Sequence, residues 1–292
     1  MEIGFHFVNF SIPGGTSALP TTLANTARAA EEVGAAWFTM ADHFFQMESM
    51  WPADEPMLEV FSSLAFLAGQ TSRIKLVVLV AGITYRYPAL LAKTVTTLDV
   101  LSRGRAVCGV GAAWYKREHV GLGVPYPSTK ERFERLEETV QICQQMWSDN
   151  NGGYEGKHYQ LAETLCVPQP VQQPHPPILI GGTGERKTLR LVAQYADIWN
   201  GIFESTSEAA HKCDVLRRHC DALGRDYDSI QKTVFHVADP FDDLDGFFVA
   251  AEQYAKLGFD VMSILPPASN DPLGFVNRLG EELIPKAVQL GS

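Results

Sequence analysis

Two periods of hydrophobic patterning alternate along this chain. Short apolar, often β-branched runs are followed by longer stretches with apolar residues three and four positions apart, the signatures of buried strands and of helices with one packed face. Residues 3–8 read as a first strand; after Pro13-Gly14-Gly15, residues 23–33 carry helical spacing until Gly34 stops it. Residues 37–40 form the second strand, and residues 56–70 a helix with Leu58, Phe61, Leu64 and Ala65 on its packed side. The strongly β-branched third strand spans 74–80, and Pro88 opens a helix to Leu101. Residues 105–109 are a fourth strand. Ser128 with Glu131 is a capping box for a long helix ending near Trp147.

Residues 148–173 interrupt this rhythm with an Asn150-Asn151-Gly152-Gly153 turn, a short hairpin near Tyr154 to Tyr159, and Pro168, Pro170 and Pro174. The pattern then resumes with a strand at 178–180, the glycines 181, 182 and 184, and a helix whose packed face holds Leu189, Leu191 and Val192. A sixth strand at 197–199 precedes a second capping box, Ser205 with Glu208, for a helix to Leu223. Strands at 230–237 and 261–265 are each followed by a helix, 244–257 and 272–290. Eight strand-then-helix repeats predict a closed α/β (β/α)8 TIM barrel rather than an open doubly wound sheet. The 292 residues form one domain, 1–292, with 148–173 inserted between the fourth helix and the fifth strand. A dinucleotide-binding Rossmann domain carries its glycine fingerprint in the first βα unit, whereas the loop here lies in the fifth, which excludes that fold.

Composition narrows the partners. A formal charge of −10 without a basic stripe argues against nucleic acid or a membrane surface and leaves small molecules. The chain has neither the roughly 20-residue apolar run of a membrane span nor an export signal in MEIGFHFVNF, so a cytoplasmic location is expected. Five cysteines, odd in number and without CxxC, suggest reduced core residues rather than disulfides or a zinc site.

In such a barrel the functional residues sit after the C-terminal strand ends. The first strand delivers Asn9 and Phe10, and the second Asp42-His43-Phe44-Phe45, a titratable imidazole beside aromatics that suits a flat ring ligand. A purely structural Asp-His hydrogen bond fits the same pair. After the third strand, Gly82 permits close approach of a ligand face, with Thr84 or Tyr85 to bond it; an aromatic loop sealing the barrel fits equally. The fourth delivers Gly109-Val110-Gly111-Ala112-Ala113 and then Trp114-Tyr115, which either stack on a ring or belong to the core. Gly181, Gly182 and Gly184 bare the backbone ahead of a helix N-terminus, an arrangement that favours a phosphate, although a tight turn that binds nothing uses the same residues. GxSxG, HExxH, Walker and carboxylate-cluster motifs are missing, which removes the common hydrolase and phosphoryl-transfer classes and predicts no metal. His119, His158, His175, His211 and His219 read as surface or packing residues.

Several of these pieces together resemble the luciferase-like monooxygenase superfamily, and within it the deazaflavin-dependent (coenzyme F420) oxidoreductases. The likeness runs over nearly the whole chain, most specifically at residues 29–35, Asp42-His43, residues 86–93 and 97–105, Gly109-Val110-Gly111-Ala112 and Gly181-Gly182-Thr183-Gly184. It implies a flavin or deazaflavin at the barrel mouth, its ring over strands two to four, against Leu79, Val80, Ala81, Gly82, Gly111 and Ala112, with its phosphate on Gly181 to Gly184. It further implies a non-prolyl cis peptide at Leu79-Val80, a proton-exchanging His43, and an Asp42 that fixes the tautomer of that histidine. Arg186 and Lys187 are placed to meet the acidic tail of F420.

Two departures limit the likeness. Sugar-phosphate and alcohol dehydrogenases of the family carry a tryptophan shortly after the histidine and a glutamate after the fourth strand, where this chain holds Met47 and Trp114. Their acid is expected to be missing, and their substrates are not expected here. The pattern GVGAAWYKRE and the DHF segment favour F420 over FMN, the cofactor of the two-component monooxygenases on the same barrel. A protein that binds cofactor without turnover is the third reading. The substrate pocket is expected to hold Phe10, Phe44, Phe45, Trp114 and the region of Tyr154, and a homodimer is expected because family members commonly pair through barrel helices.

Overall fold

A computed structural model of the chain describes residues 1–266 and 271–291. Its strands are β1 (Glu2–Phe7), β2 (Trp37–Met40), β3 (Lys75–Val78), β4 (Ala106–Gly111), β5 (Ile178–Gly181), β6 (Ile198–Gly201), β7 (Gln231–His236) and β8 (Phe259–Ile264). Each pairs in parallel with its neighbours in chain order, and β8 closes on β1 with Glu2 opposite Val261. Pairing of β3 with β4, Leu76 opposite Ala106, completes the cylinder. A two-residue strand, Ala81–Gly82, then rejoins β4 with Ala81 opposite Val110. Between these two pairings lies Leu79-Val80, whose peptide bond is cis.

Alternation along the strands sorts the side chains into an outer core and an inner stack. Outward residues such as Phe5, Phe38, Leu76, Cys108, Ile180 and Met262 pack under the helices. Inward residues form layers. Trp37, Val77, Val107, Leu179, Ile198 and Val261 fill the base of the barrel. Two positions farther along their strands, Thr39, Asn200 and Ser263 join His6 and Thr233 in a buried polar layer. Asn200 Nδ2 donates to Thr233 Oγ1 at 3.1 Å within that layer, and Trp37 Nε1 of the base donates up to Ser263 Oγ at 2.8 Å. Two positions farther again, Val8, Ala41, Phe235 and Leu265 face an open cavity.

The surrounding helices are α1 (Leu19–Glu32), α2 (Val60–Ala68), α3 (Pro88–Ser102), α4 (Lys116–Leu122), α5 (Thr129–Met146), α6 (Thr188–Tyr195), α7 (Thr206–Leu223) and α8 (Leu244–Lys256), with α9 (Pro272–Arg278) near the C-terminus. Ser128 and Ser205 cap α5 and α7 by accepting from the amides of Glu131 and Glu208. The helix expected from residue 56 starts later, at Val60, because the Glu59 carboxylate accepts from the amides of Phe61 and Ser62 and caps it there. The single helix expected over 272–290 is instead a succession: α9, a π turn over Leu279–Leu283, a short helix Ile284–Ala287 and a final 3-10 turn. Pro285 lacks the amide needed to continue the regular ladder. The stretch between α5 and β5 holds the antiparallel pair Tyr154–Glu155 and Gln160–Leu161. All five cysteines are buried and unbridged.

Candidate active site

A cavity of about 540 Å³ opens at the C-terminal ends of the strands. Asp42 and His43 after β2, Leu79 to Gly82 after β3, Gly111 to Tyr115 after β4, and Gly181 to Thr183 after β5 all line it. Segments more than a hundred residues apart thus share one space. Of the residues singled out from the sequence, Gly184 lies one position beyond the lining set, while Phe10 and Phe44 lie elsewhere. Phe10 is sealed in the outer core against Phe7, with ring centroids 5.3 Å apart. Phe44 turns its ring edge onto Tyr85 and, with Phe45, lines a separate acidic cleft beside Glu48, Asp54 and Glu55. Tyr154 bonds Gln141 on α5, away from the cavity.

His43 is held by a carboxylate, but a different one from that expected. Its Nδ1 lies 3.2 Å from Glu118 Oε2 on α4, and Asp42 makes no bond to it. Glu118 is fully buried. Its Oε1 accepts from the backbone amides of Phe44 and, at 2.7 Å, Phe45, and its Oε2 also accepts from the Tyr85 hydroxyl. Burial by itself raises the Glu118 pKa, but the bonds from His43, Tyr85, Phe45 and Phe44 outweigh that and hold it below the usual carboxylate range. Burial, reinforced by the same carboxylate, pushes the Tyr85 hydroxyl well above its ordinary pKa. An ionised carboxylate only accepts, so His43 Nδ1 carries a proton toward Glu118 and Nε2 is the nitrogen left to exchange one with a ligand. Trp114 and Tyr115 set their rings edge-on to the imidazole at 5.5 and 5.8 Å.

The carboxylate that holds the histidine is thus supplied by α4 rather than by the strand end. His119, expected on a surface or in routine packing, is fully buried behind it. Its Nε2 meets Thr84 Oγ1 at 2.6 Å and its Nδ1 the Tyr115 carbonyl at 2.8 Å, while its ring stacks on Tyr85 at 4.3 Å. These bonds tie the loops after β3 and β4 together. The helix α4 is seven residues, KREHVGL, that open on three charged ones and read as a solvated face when taken alone. The one signal for Glu118 is that it closes the segment GVGAAWYKRE.

Asp42 acts on the neighbouring loop. Its Oδ1 accepts from Arg86 Nη2 at 2.6 Å and its Oδ2 from the Gly82 amide at 3.2 Å. Arg86 also donates to Glu59 at 2.9 Å and lies over the Phe61 ring, so one guanidinium ties the β2 loop, the β3 loop and the start of α2. Burial lifts the Asp42 carboxyl above its ordinary pKa against the pull of Arg86 and the Gly82 amide. The segment it anchors ends in Val80, whose side chain fills the space left by two glycines. A Cβ on Gly111 would meet Val80 Cγ2 at 2.8 Å, and one on Gly181 would meet Val80 Cγ1 at 3.0 Å. These glycines thus make room for Val80, and only the backbone beyond them is left for a ligand.

At the phosphate-type loop, Gly182 has φ +120°, a conformation suited to glycine, and its amide donates to the Asn200 carbonyl at 2.9 Å. Leu189 N reaches back to the Gly184 carbonyl at 3.0 Å, so the loop folds onto the first turn of α6. The earliest amides of a helix have no partner within it, and their dipole favours an anion at this rim. Arg186 and Lys187 stand exposed beside it, with no ion pair to either among the described residues.

The cavity floor holds two polar residues that the sequence pattern did not single out, His6 and Asn200. His6 Nδ1 lies 2.7 Å from Thr39 Oγ1, and its ring stands edge-on to Phe235 at 4.9 Å. Desolvation, with His43 a smaller contributor, lowers its pKa from 6.5 to about 3, so it is neutral in the working range.

Residues 1–260 match the family model described as luciferase-like monooxygenase. A relative named F420-dependent glucose-6-phosphate dehydrogenase, from Kineococcus radiotolerans, is 35% identical over 169 residues, 58% of this chain and 49% of that protein. The match therefore spans about half the length of that relative. A relative named FMNH(2)-dependent dimethylsulfone monooxygenase, from Pseudomonas putida, is 34% identical over 96 residues, 33% of this chain and 26% of that protein. A solved F420-dependent secondary alcohol dehydrogenase, in complex with an F420-acetone adduct, superposes with a TM-score of 0.82 at 17% identity, covering 98% of each chain. At that identity the superposition shows a shared fold.

Proposed function

This chain belongs to the luciferase-like monooxygenase family, and on that premise we propose that it is an oxidoreductase moving a hydride between coenzyme F420 and a small organic substrate. The observation that carries the reading is the common cavity. His43, with one nitrogen committed to a buried anion, and the bare backbone of Gly181 to Thr183 face the same space.

The residues present fit such a cofactor. Val80, Ala81 and Gly82 with Gly111 and Ala112 offer a shallow apolar wall for a planar ring, the loop Gly181 to Gly184 offers the amides of Thr183 and Gly184 for a phosphate, that of Gly182 being taken by Asn200, and Arg186 and Lys187 offer charge for an acidic tail. F420, when bound, supplies a carbon that accepts or donates hydride. The chain handles the accompanying proton. His43 Nε2 takes it from, or returns it to, the substrate heteroatom, and Glu118 stays ionised to stabilise the imidazolium that forms. Trp114 and Tyr115 flank the imidazole and keep water from it, while Asp42 and Arg86 hold the Gly82 segment in place.

Titration of the purified protein with F420, followed by its absorption, tests the cofactor, and anaerobic turnover of wild type against His43→Gln tests the base. Absence of F420 binding, or full activity in His43→Gln, overturns the proposal. Relatives such as the FMNH(2)-dependent monooxygenase support a second reading, reduced FMN with oxygen. It predicts substrate-dependent oxygen uptake with FMN and a reductase, and no anaerobic turnover. Homodimerisation in the cytoplasm is part of the proposal. Tyr87, Leu90 and Leu101 lie exposed at and along α3, and a monomeric mass in light scattering would refute it.

A further inference from the structure

We infer that the substrate is an uncharged, largely apolar molecule, an inference that rests on this cavity being the substrate site. Six of the residues lining the cavity, Met47, Met50, Trp114, Ile202, Val237 and Leu265, are large and apolar and come from loops after five different strands. Four of them, Met50, Trp114, Ile202 and Val237, are 39%, 58%, 56% and 59% exposed, an unusual concentration of large apolar side chains at one mouth. Unbranched methionine side chains adapt their shape to an apolar guest.

Counter-charge for an anion is lacking in that wall. Among the described residues no lysine or arginine lines the cavity, and residues 267–270 contain none in the sequence. Nearby cations are committed elsewhere. Arg86 is paired with Asp42 and Glu59, Arg117 with Glu48, and Arg132 donates to the Ala113 carbonyl and the Tyr126 hydroxyl. Arg186 and Lys187 follow the glycine loop, exposed and outside the lining of the cavity. The charge that an anionic substrate would meet instead is the Glu118 anion behind His43, since Asp42 in the wall is already paired with Arg86. A phosphate or carboxylate placed there loses water, gains no partner and faces like charge. The floor offers a neutral group in keeping with this: His6, bonded through Nδ1 to Thr39, presents the rest of its ring to the cavity as a hydrogen-bonding surface without charge.

The test uses matched probes on the full-length protein, with and without F420: cyclohexanone, 4-oxocyclohexanecarboxylate and glucose 6-phosphate, each titrated by tryptophan fluorescence, with Trp114→Phe to assign the signal. The neutral ketone is expected to bind at least about tenfold more tightly than its carboxylate, and glucose 6-phosphate not at all at millimolar concentration. Met47→Lys is expected to narrow or invert that ratio, and Ile202→Lys, at an exposed position, serves if the first variant fails to fold. The inference is overturned if the carboxylate or the sugar phosphate binds wild type as tightly as the ketone, if the ketone does not bind, or if the ratio is unmoved in the lysine variant. Preference for the neutral probe without F420 affinity would sink the cofactor reading and leave this one standing; F420 affinity with preference for the anion does the reverse.

Discussion

Replacing Glu118 by glutamine changes one atom in a buried carboxylate that receives four hydrogen bonds, from Phe44 N, Phe45 N, the Tyr85 hydroxyl and His43 Nδ1. If the amide oxygen stays on the two backbone N–H groups, the new NH2 faces Tyr85 and His43. Tyr85 can turn to accept. His43 must then accept at Nδ1, which moves its proton to Nε2 and leaves no lone pair for the substrate. General-base catalysis contributes about 10²–10⁴-fold, so kcat in the proton-abstracting direction should fall by roughly that factor. Stability changes less. Bonds to a charged acceptor contribute about 1.5–3 kcal/mol and neutral ones about 0.5–1.5, so four weakened bonds lose roughly 4 kcal/mol. Relief from burying an anion offsets part of this and leaves about 2 kcal/mol, or a Tm lower by roughly 5 °C. Calorimetry and anaerobic F420-linked turnover read the two effects separately. His43→Gln should lower kcat to the same floor, and the double variant no further, because the two residues act as one unit. Glu118→Gln with kcat within about threefold of wild type would refute the assignment, since that factor is far below what loss of a base removes.

Other expectations follow from the same geometry. His6 stays neutral down to about pH 3 in the folded protein but takes up a proton below about 6.5 when unfolded, so folding stability should rise with pH across that window. A His6→Asn variant should flatten the plot of unfolding free energy against pH there by about 1.4 kcal/mol per unit; parallel plots for the two proteins would contradict it. Gly111→Ala puts a methyl 2.8 Å from Val80 Cγ2 and should weaken F420 binding by about tenfold while the protein remains folded, as judged by circular dichroism; an unchanged Kd would show that Val80 has no part in the ring wall. Charge reversal at Arg186 and Lys187 should weaken F420 affinity and flatten its salt dependence, and a wild-type affinity that does not vary with ionic strength would remove these residues from the cofactor site.

Much of the architecture is written locally. Ser128 with Glu131 and Ser205 with Glu208 cap helices through bonds that span three residues, and the β-branched runs at β3 and β5 are strands because their side chains suit a pleat buried on both faces. Glycines ahead of α6 announce a loop whose backbone is bare, and His43 stands out as an imidazole among aromatics. Partnership was not readable in that way. Asp42 adjoins His43 in sequence yet bonds Arg86 and Gly82, because successive residues leaving a strand point to opposite sides. The carboxylate that does reach His43 lies 75 positions away on a helix too short and too polar to show a packed face. Phe10 and Phe44 carry the right chemistry for a ring pocket but turn to the outer core and to a neighbouring cleft.

The strand and helix repeat, its count and therefore the barrel were legible in the order of residues alone, because periodicity, caps and turns are short-range properties of the chain. Which carboxylate holds the histidine, which side chains face the cavity, and that no lysine or arginine lines it among the described residues were decided only when β3 paired with β4 and β8 with β1. Closure of the cylinder brings residues from distant loops within bonding distance, and burial among them sets which groups keep their charge.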